Sequence, residues 1–205
     1  MSPMETKPRL PGRVFAAIGA VVMLTLLAFA LHLRRERAHD EALRGTPIVP
    51  PKSATDFVLT ATDGARAHLV DHTAATTFLF FGYTHCPDEC PLALASLGRA
   101  YRSLGGADRR RTRVVFVSVD PVRDTPAVVR RYVAAFDPHI EGLTGSRGTL
   151  AQVWHAYGVH VDPASHEIAH GGSIYAIASG RVILEYPSDA PAGDLAADAT
   201  MLANR

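Results

Sequence analysis

Hydrophobic residues fall along this chain in several rhythms, and each rhythm predicts a different element. The longest is Val14 to Leu33, VFAAIGAVVMLTLLAFALHL, twenty positions without an acid, a lysine or an arginine. About 20 apolar residues are what an α-helix needs to cross a bilayer. A cleaved secretory signal competes with that reading, since Ala28-Phe29-Ala30 offers a small-x-small site. The apolar run continues past that site and is long for a signal core, which favours an uncleaved transmembrane anchor over residues 14–33, after a tail of residues 1–13. Lys7, Arg9 and Arg13 precede the run, and Arg34, Arg35, Arg37 and Arg44 follow it. Flanks so nearly equal do not orient a span.

Two shorter runs are largely apolar. Thr77 to Phe81 and Arg113 to Val119 predict strands buried on both faces. Asp56 to Leu59 and Ala67 to Val70 predict two short strands around the turn Thr62-Asp63-Gly64, and Gly172 to Ala178 with Arg181 to Tyr186 predict a hairpin across Ser179-Gly180. Helical spacing of Leu94, Leu97, Tyr101 and Leu104 predicts an amphipathic helix from Cys90 to Leu104, with Pro91 in its first turn and Gly105-Gly106 at its end. Thr125-Pro126 opens a helix reaching about Phe136, with threonine as the cap. Thr149 to Tyr157, ended by Gly158, and Asp194 to Leu202 are the remaining helices. Residues 34–52 predict a tether, charged first and then proline-stiffened through Gly45-Thr46-Pro47-Ile48-Val49-Pro50-Pro51. Residues 53–205 are long enough for one domain. Strands alternating with helices predict an α/β fold: a mixed central sheet with parallel pairs and flanking helices.

A formal net charge of +1 gives no footprint for nucleic acid. The chemistry lies in FGYTHCPDECP, Phe81 to Pro91, which holds the chain's only two cysteines. They leave the first buried strand and open a helix, the layout of thioredoxin-like folds. Cys86 and Cys90 are four apart, so one helical turn puts both sulfurs on the same face. Exposed N–H groups at a helix N-terminus favour thiolate, which exchanges disulfides or binds soft metals. A structural disulfide here would close so small a loop that it constrains little of the unfolded chain.

Thiol–disulfide oxidoreductases of this fold separate their cysteines by two residues and place a cis-proline before the facing strand. This chain has three intervening residues, and Ala169-His170-Gly171-Gly172 where that proline would stand. A histidine facing two thiolates completes a soft S,S,N set that suits Cu(I). Ten histidines compete for the role; topology favours His170, with His166 its rival. Redox exchange, with Cys86 attacking and Cys90 resolving, stays open beside metal binding.

The chain resembles the Sco (SenC) family of membrane-anchored, thioredoxin-fold copper proteins. FGYTHCPDECP is similar to that family's central motif, VSVDPVRDTP (Val117 to Pro126) to its second, and FDPHIEGLTG (Phe136 to Gly145) to its third. The resemblance implies that Cys86, Cys90 and His170 bind copper as Cu(I) or Cu(II), and associates Asp88 with the metal site or its loop. It implies a metallochaperone, not an enzyme in the first instance, that assists assembly of the dinuclear copper A centre of cytochrome c oxidase. Its expected partners are subunit II of that oxidase or a related copper-receiving protein, and other periplasmic copper chaperones or thiol reductants. With no Arg- and Ser-rich presequence, the expected location is a bacterial inner membrane, single-pass, with the domain on the periplasmic side. Ala169 and Gly171 stand where the family carries aspartate and serine, so the usual carboxylate beside the ligand histidine is missing. Asp120, Arg123 and Asp124 read most simply as loop and cap residues, Trp154 and Tyr157 as core, and Arg109-Arg110-Arg111 as a solvated loop.

Overall fold

Seven consecutive residues, Thr76–Gly82 (β4), are buried end to end, and the rest of the fold is arranged around them. The computed structural model describes residues 21–30, 43–70, 74–161 and 172–204. Beside β4 lies Thr112–Ser118 (β5), parallel and in register from Thr76↔Thr112 to Gly82↔Ser118. On the other side of β4 lies Ile174–Ala178 (β7), antiparallel, with Thr77↔Ile177 and Phe80↔Ile174. Arg181–Tyr186 (β8) returns from β7 through the predicted hairpin. Beyond β5 come Ile140–Thr144 (β6), parallel, and then the antiparallel pair Val58–Ala61 (β2) and Arg66–His68 (β3). The sheet is therefore mixed, in the order β1-β8-β7-β4-β5-β6-β2-β3, where β1 is Thr46–Ser53.

Side chains alternate across the pleat, and each face of the sheet has its own core. Phe78, Phe80, Val114 and Phe116 point to one face, with Leu94 and Leu97 of Glu89–Ser103 (α2), Val129 and Val133 of Pro126–Ala134 (α4), and Leu195 and Ala199 of Ala192–Ala203 (α6). Leu79, Phe81, Val115 and Val117 point to the other, with Leu150 and Val153 of Arg147–Tyr157 (α5). Thr125 caps α4 as expected, its hydroxyl accepting from Val128 N–H, with Pro126 following. Gly158 ends α5 with φ of 70°, a left-handed conformation that glycine adopts at no steric cost.

Three elements differ from the sequence reading. Residues 46–52, assigned to the tether, are strand β1, paired with β8 from Thr46↔Glu185 to Ser53↔Arg181 with a shift between Pro47 and Lys52. An edge strand tolerates prolines, because their missing N–H groups need no ladder partner. Ile140–Thr144 is a strand the pattern did not reveal. Arg109-Arg110-Arg111 is no plain loop: Gly106–Arg110 is a short helix, α3. Arg109 bonds the carbonyls of Arg102 and Leu104 and lies 5.9 Å from the centre of the Tyr101 ring.

The chain divides into two compact units, Met1–Ala42 and Leu43–Arg205. In the first, residues 21–30 are helical (α1) and every one is exposed. The rest of the predicted span 14–33 lies outside the described residues. Among those described, no helix is long and apolar enough to cross a membrane.

Candidate metal centre

The C-terminal ends of β4 and β5 make the floor of the site. β4 ends at Gly82, and the chain turns through Tyr83 to Asp88 into α2; Cys86 N–H closes the turn on the Tyr83 carbonyl at 3.2 Å. Asp88 occupies the N-cap of α2 but makes no side-chain cap bond. The Cys86 sulfur takes that part, accepting the Cys90 N–H at 3.3 Å. One thiol thus sits on the amide of the other, at the end of a helix where exposed N–H groups stabilise negative charge. Both cysteines are free thiols. Cys86 is half-buried, whereas Cys90 is only 2% exposed.

Burial pushes the Cys90 thiol above its ordinary value, helped by the hydrogen bond to Cys86 and by the charges of Cys86 and Glu89; a bond to the Tyr83 backbone opposes the rise. A cation bound there must therefore displace the Cys90 proton, as metal binding by thiols in general requires. Gly82 makes room for this sulfur. A Cβ built on Gly82 would lie 2.8 Å from Cys90 Sγ and 2.9 Å from the Phe116 ring.

A buried carboxylate holds the loop before Cys86. Asp124, 1% exposed, accepts Thr84 N–H at 3.1 Å, Thr84 Oγ1–H at 2.6 Å and Ser118 Oγ–H at 2.7 Å. The Asp124 carbonyl accepts Thr144 Oγ1–H at 3.1 Å. Asp120, fully buried, pairs with Arg123. VSVDPVRDTP is more than a turn and a cap: Asp124 ties the end of β5 and the entry to α4 to the cysteine loop. The signal for it was a second acid, Asp124, six residues past an apolar strand and just before the helix cap, where a buried carboxylate needs several donors.

Tyr132 of α4 closes the floor from the side, its ring 5.9 Å from that of Phe116. Burial first, and then the nearby charges of Cys90 and Cys86, raise its phenol above the ordinary value. Its hydroxyl is buried with no hydrogen-bond partner among the described residues. His85 turns to Thr84, with its Nδ1 3.1 Å from Thr84 Oγ1. Trp154 and Tyr157 pack against the second core as expected.

His170 and His166 lie outside the described residues. Among the described residues, no group of three or more His, Cys, Asp or Glu side chains is placed to hold a metal ion. The structure does bring the edge of the predicted third-ligand segment to the cysteines. Gly172 N–H donates to Glu89 Oε2 at 2.9 Å, a contact the sequence reading did not anticipate.

The model of the family described as SCO1/SenC matches residues 46–204. The chain belongs to the SCO1/SenC family. It is similar to human protein SCO1 homolog, mitochondrial: 31% identical over 193 residues, 89% of this chain and 64% of that protein. The chain thus spans somewhat less than two thirds of this relative's length. Among solved structures it is similar to apo Sco1 from Thermus thermophilus, with 34% identity and a TM-score of 0.68 over 78% of this chain and 96% of that one. It is also similar to Bradyrhizobium japonicum ScoI with copper bound, with 33% identity and a TM-score of 0.61 over 72% of this chain and 98% of that one. This likeness bears out the thioredoxin-like sheet expected for the SCO1/SenC chain.

Proposed function

We propose that this protein is a membrane-anchored copper metallochaperone. Cys86 and Cys90 supply two thiolates and His170 an imidazole, and copper is the cargo, taken up as Cu(I) or Cu(II). The observation that carries the reading is the Cys90 N–H on Cys86 Sγ, which sets the thiol of the loop before α2 against the thiol in the helix's first turn, with one of them open to solvent. Thiolate is a soft donor and imidazole suits copper, and a relative 33% identical was solved with copper bound.

The residues divide the work. Cys86, half-buried, is the sulfur an incoming donor reaches. Cys90, buried behind it, gives up its proton when the metal binds and takes it back on release. Asp124 and Gly82 fix where the two sulfurs stand. The receiver is subunit II of cytochrome c oxidase, at its dinuclear copper A centre, or a related copper-receiving protein. Residues 14–33 are the anchor in a bacterial inner membrane; residues 21–30 are helical and expose Val21, Met23, Leu24 and Phe29 around the helix, the apolar surface a bilayer covers. The domain stands on the periplasmic side.

The test is a competitive Cu(I) titration of the reduced full chain in detergent, beside Cys86→Ala, Cys90→Ala and His170→Ala. One copper per chain is expected, lost in either cysteine variant and weakened in His170→Ala. Absence of stoichiometric binding by the reduced protein removes the proposal. The same accessible Cys86 over buried Cys90 also supports a second reading, thiol–disulfide exchange on partner cysteines. That activity would survive His170→Ala, whereas copper binding as read here would not survive it intact.

A further inference from the structure

The cysteine motif contains a carboxylate that the copper-binding role does not use. Glu89 is the first residue of α2, between the two thiols. An acid there has an ordinary purpose, since negative charge is favourable at a helix N-terminus. Its side chain is not left in solvent, however. Glu89 Oε2 accepts the N–H of Gly172, 83 residues further along, at 2.9 Å. Gly172 is buried, so its N–H needs a partner, and it lies beyond the last paired rung of the β4–β7 ladder, Phe80↔Ile174. Two residues further in that register, Gly172 falls opposite Gly82. Both glycines permit close approach: a Cβ on Gly172 would lie 2.9 Å from the Phe80 ring, and one on Gly82 would lie 2.8 Å from Cys90 Sγ.

We propose that Glu89 is a positioning residue for the metal site: its carboxylate ties the entry of β7 to the N-terminus of α2, so that the strand leading from His170 and the helix carrying Cys90 are held as one unit. This rests on the reading of His170 as the third donor. Two residues of chain reach at most about 7 Å, so fixing Gly172 beside the cysteine helix limits how far the His170 backbone can stand from the sulfurs. Outer groups that orient a ligand typically change metal affinity by about 10- to 100-fold. Here the orienting group acts through the backbone rather than on the imidazole, in a chain that has Ala169 next to its histidine.

The experiment compares Glu89→Ala and Glu89→Gln in the full chain, each alone and combined with His170→Ala. Two quantities are read: Cu(I) affinity by competition, and hydrogen exchange at the Gly172 amide in the metal-free protein. Charge and tie predict opposite signs. Removing a negative charge beside two thiolates favours the thiolates, so charge alone makes both Glu89 variants bind copper more tightly. The tie predicts that Glu89→Ala weakens binding by about 10- to 100-fold and speeds Gly172 exchange. Glu89→Gln, which keeps an acceptor oxygen, binds no more weakly than wild type and protects Gly172. In the His170→Ala background, Glu89→Ala then weakens binding no further. Equal losses with and without His170, unweakened binding by Glu89→Ala, or unchanged Gly172 exchange would each overturn the inference. If His170→Ala alone binds copper as wild type does, the three-donor reading fails. Faster Gly172 exchange in Glu89→Ala would then keep the tie and discard its role toward copper.

Discussion

Replacing Gly82 with alanine tests whether the end of β4 is shaped around a sulfur. The added methyl carbon would lie 2.8 Å from Cys90 Sγ, 2.9 Å from Phe116 Cε2 and 3.0 Å from Phe80 Cε1. Comfortable contacts begin near 3.5 Å, so roughly 0.5–0.7 Å must be found on three sides at once. None of the neighbours yields easily: Phe80 and Phe116 are 0% exposed and Cys90 is 2% exposed. Overpacking of this kind costs about 1–3 kcal/mol. For a unit of this size each kcal/mol lowers Tm by about 2–4 °C, so a fall of about 2–12 °C is expected. Near-ultraviolet circular dichroism of the reduced full chain in detergent follows the melt. Copper affinity falls with it, because the sulfur is among the atoms displaced. Gly148, in the first turn of α5, has nothing within 4 Å of an added Cβ. There alanine is worth about 0.5–1 kcal/mol of added stability, and Gly148→Ala should melt at or above wild type. A Gly82→Ala protein that melts within about 1 °C of wild type and binds copper normally would refute the packing argument.

Other outcomes follow from the same geometry. Asp124→Ala strands Thr84 N–H, Thr84 Oγ1 and Ser118 Oγ together; it should cost at least about 2 kcal/mol in urea unfolding and speed alkylation of Cys86 as its loop loosens. Tyr132→Phe removes a buried hydroxyl that has no partner among the described residues, so the metal-free protein should gain about 1 kcal/mol rather than lose stability; a clear loss would show that the hydroxyl is satisfied. Asp137 is buried, which opposes its ionisation, but bonds from the His139 N–H, the His139 ring and Arg102 outweigh burial and hold its carboxyl below 3.8. A depressed folded value means stability that is fully present above pH 3.8 and is lost as pH falls through the folded value. Denaturant midpoints measured from pH 7 down to pH 2 should therefore fall more steeply for wild type than for Asp137→Asn.

The parts of the fold that sequence made legible are those whose cause is local. β4 and β5 are built on the apolar runs Phe78 to Phe81 and Val114 to Val117, and Thr125-Pro126 is a cap that needs no tertiary partner. β6 was hidden because Ile140-Glu141-Gly142-Leu143-Thr144 has an acid and a glycine at its centre. Its neighbours supply the reason: Glu141 bonds Arg113 of β5, and a Cβ on Gly142 would meet Val129 of α4 at 2.5 Å. β1 was hidden by prolines that only an edge position accommodates. The site divides the same way. Cys86 and Cys90 were legible as a pair from spacing, although Cys86 stands in the loop before α2 and is joined to Cys90 by a sulfur–amide bond rather than by a shared helical turn. The bonds of Asp124 to Thr84, 40 residues apart, and of Glu89 to Gly172 join segments that only the folded sheet brings together.

Copper K-edge X-ray absorption of the Cu(I)-loaded full chain, beside His170→Ala, tests the central claim most directly. The account predicts two sulfur donors and one nitrogen donor in wild type, with the nitrogen lost or replaced in His170→Ala while both sulfurs remain. A site with fewer than two sulfurs, or one whose spectrum is identical in the two proteins, would contradict it.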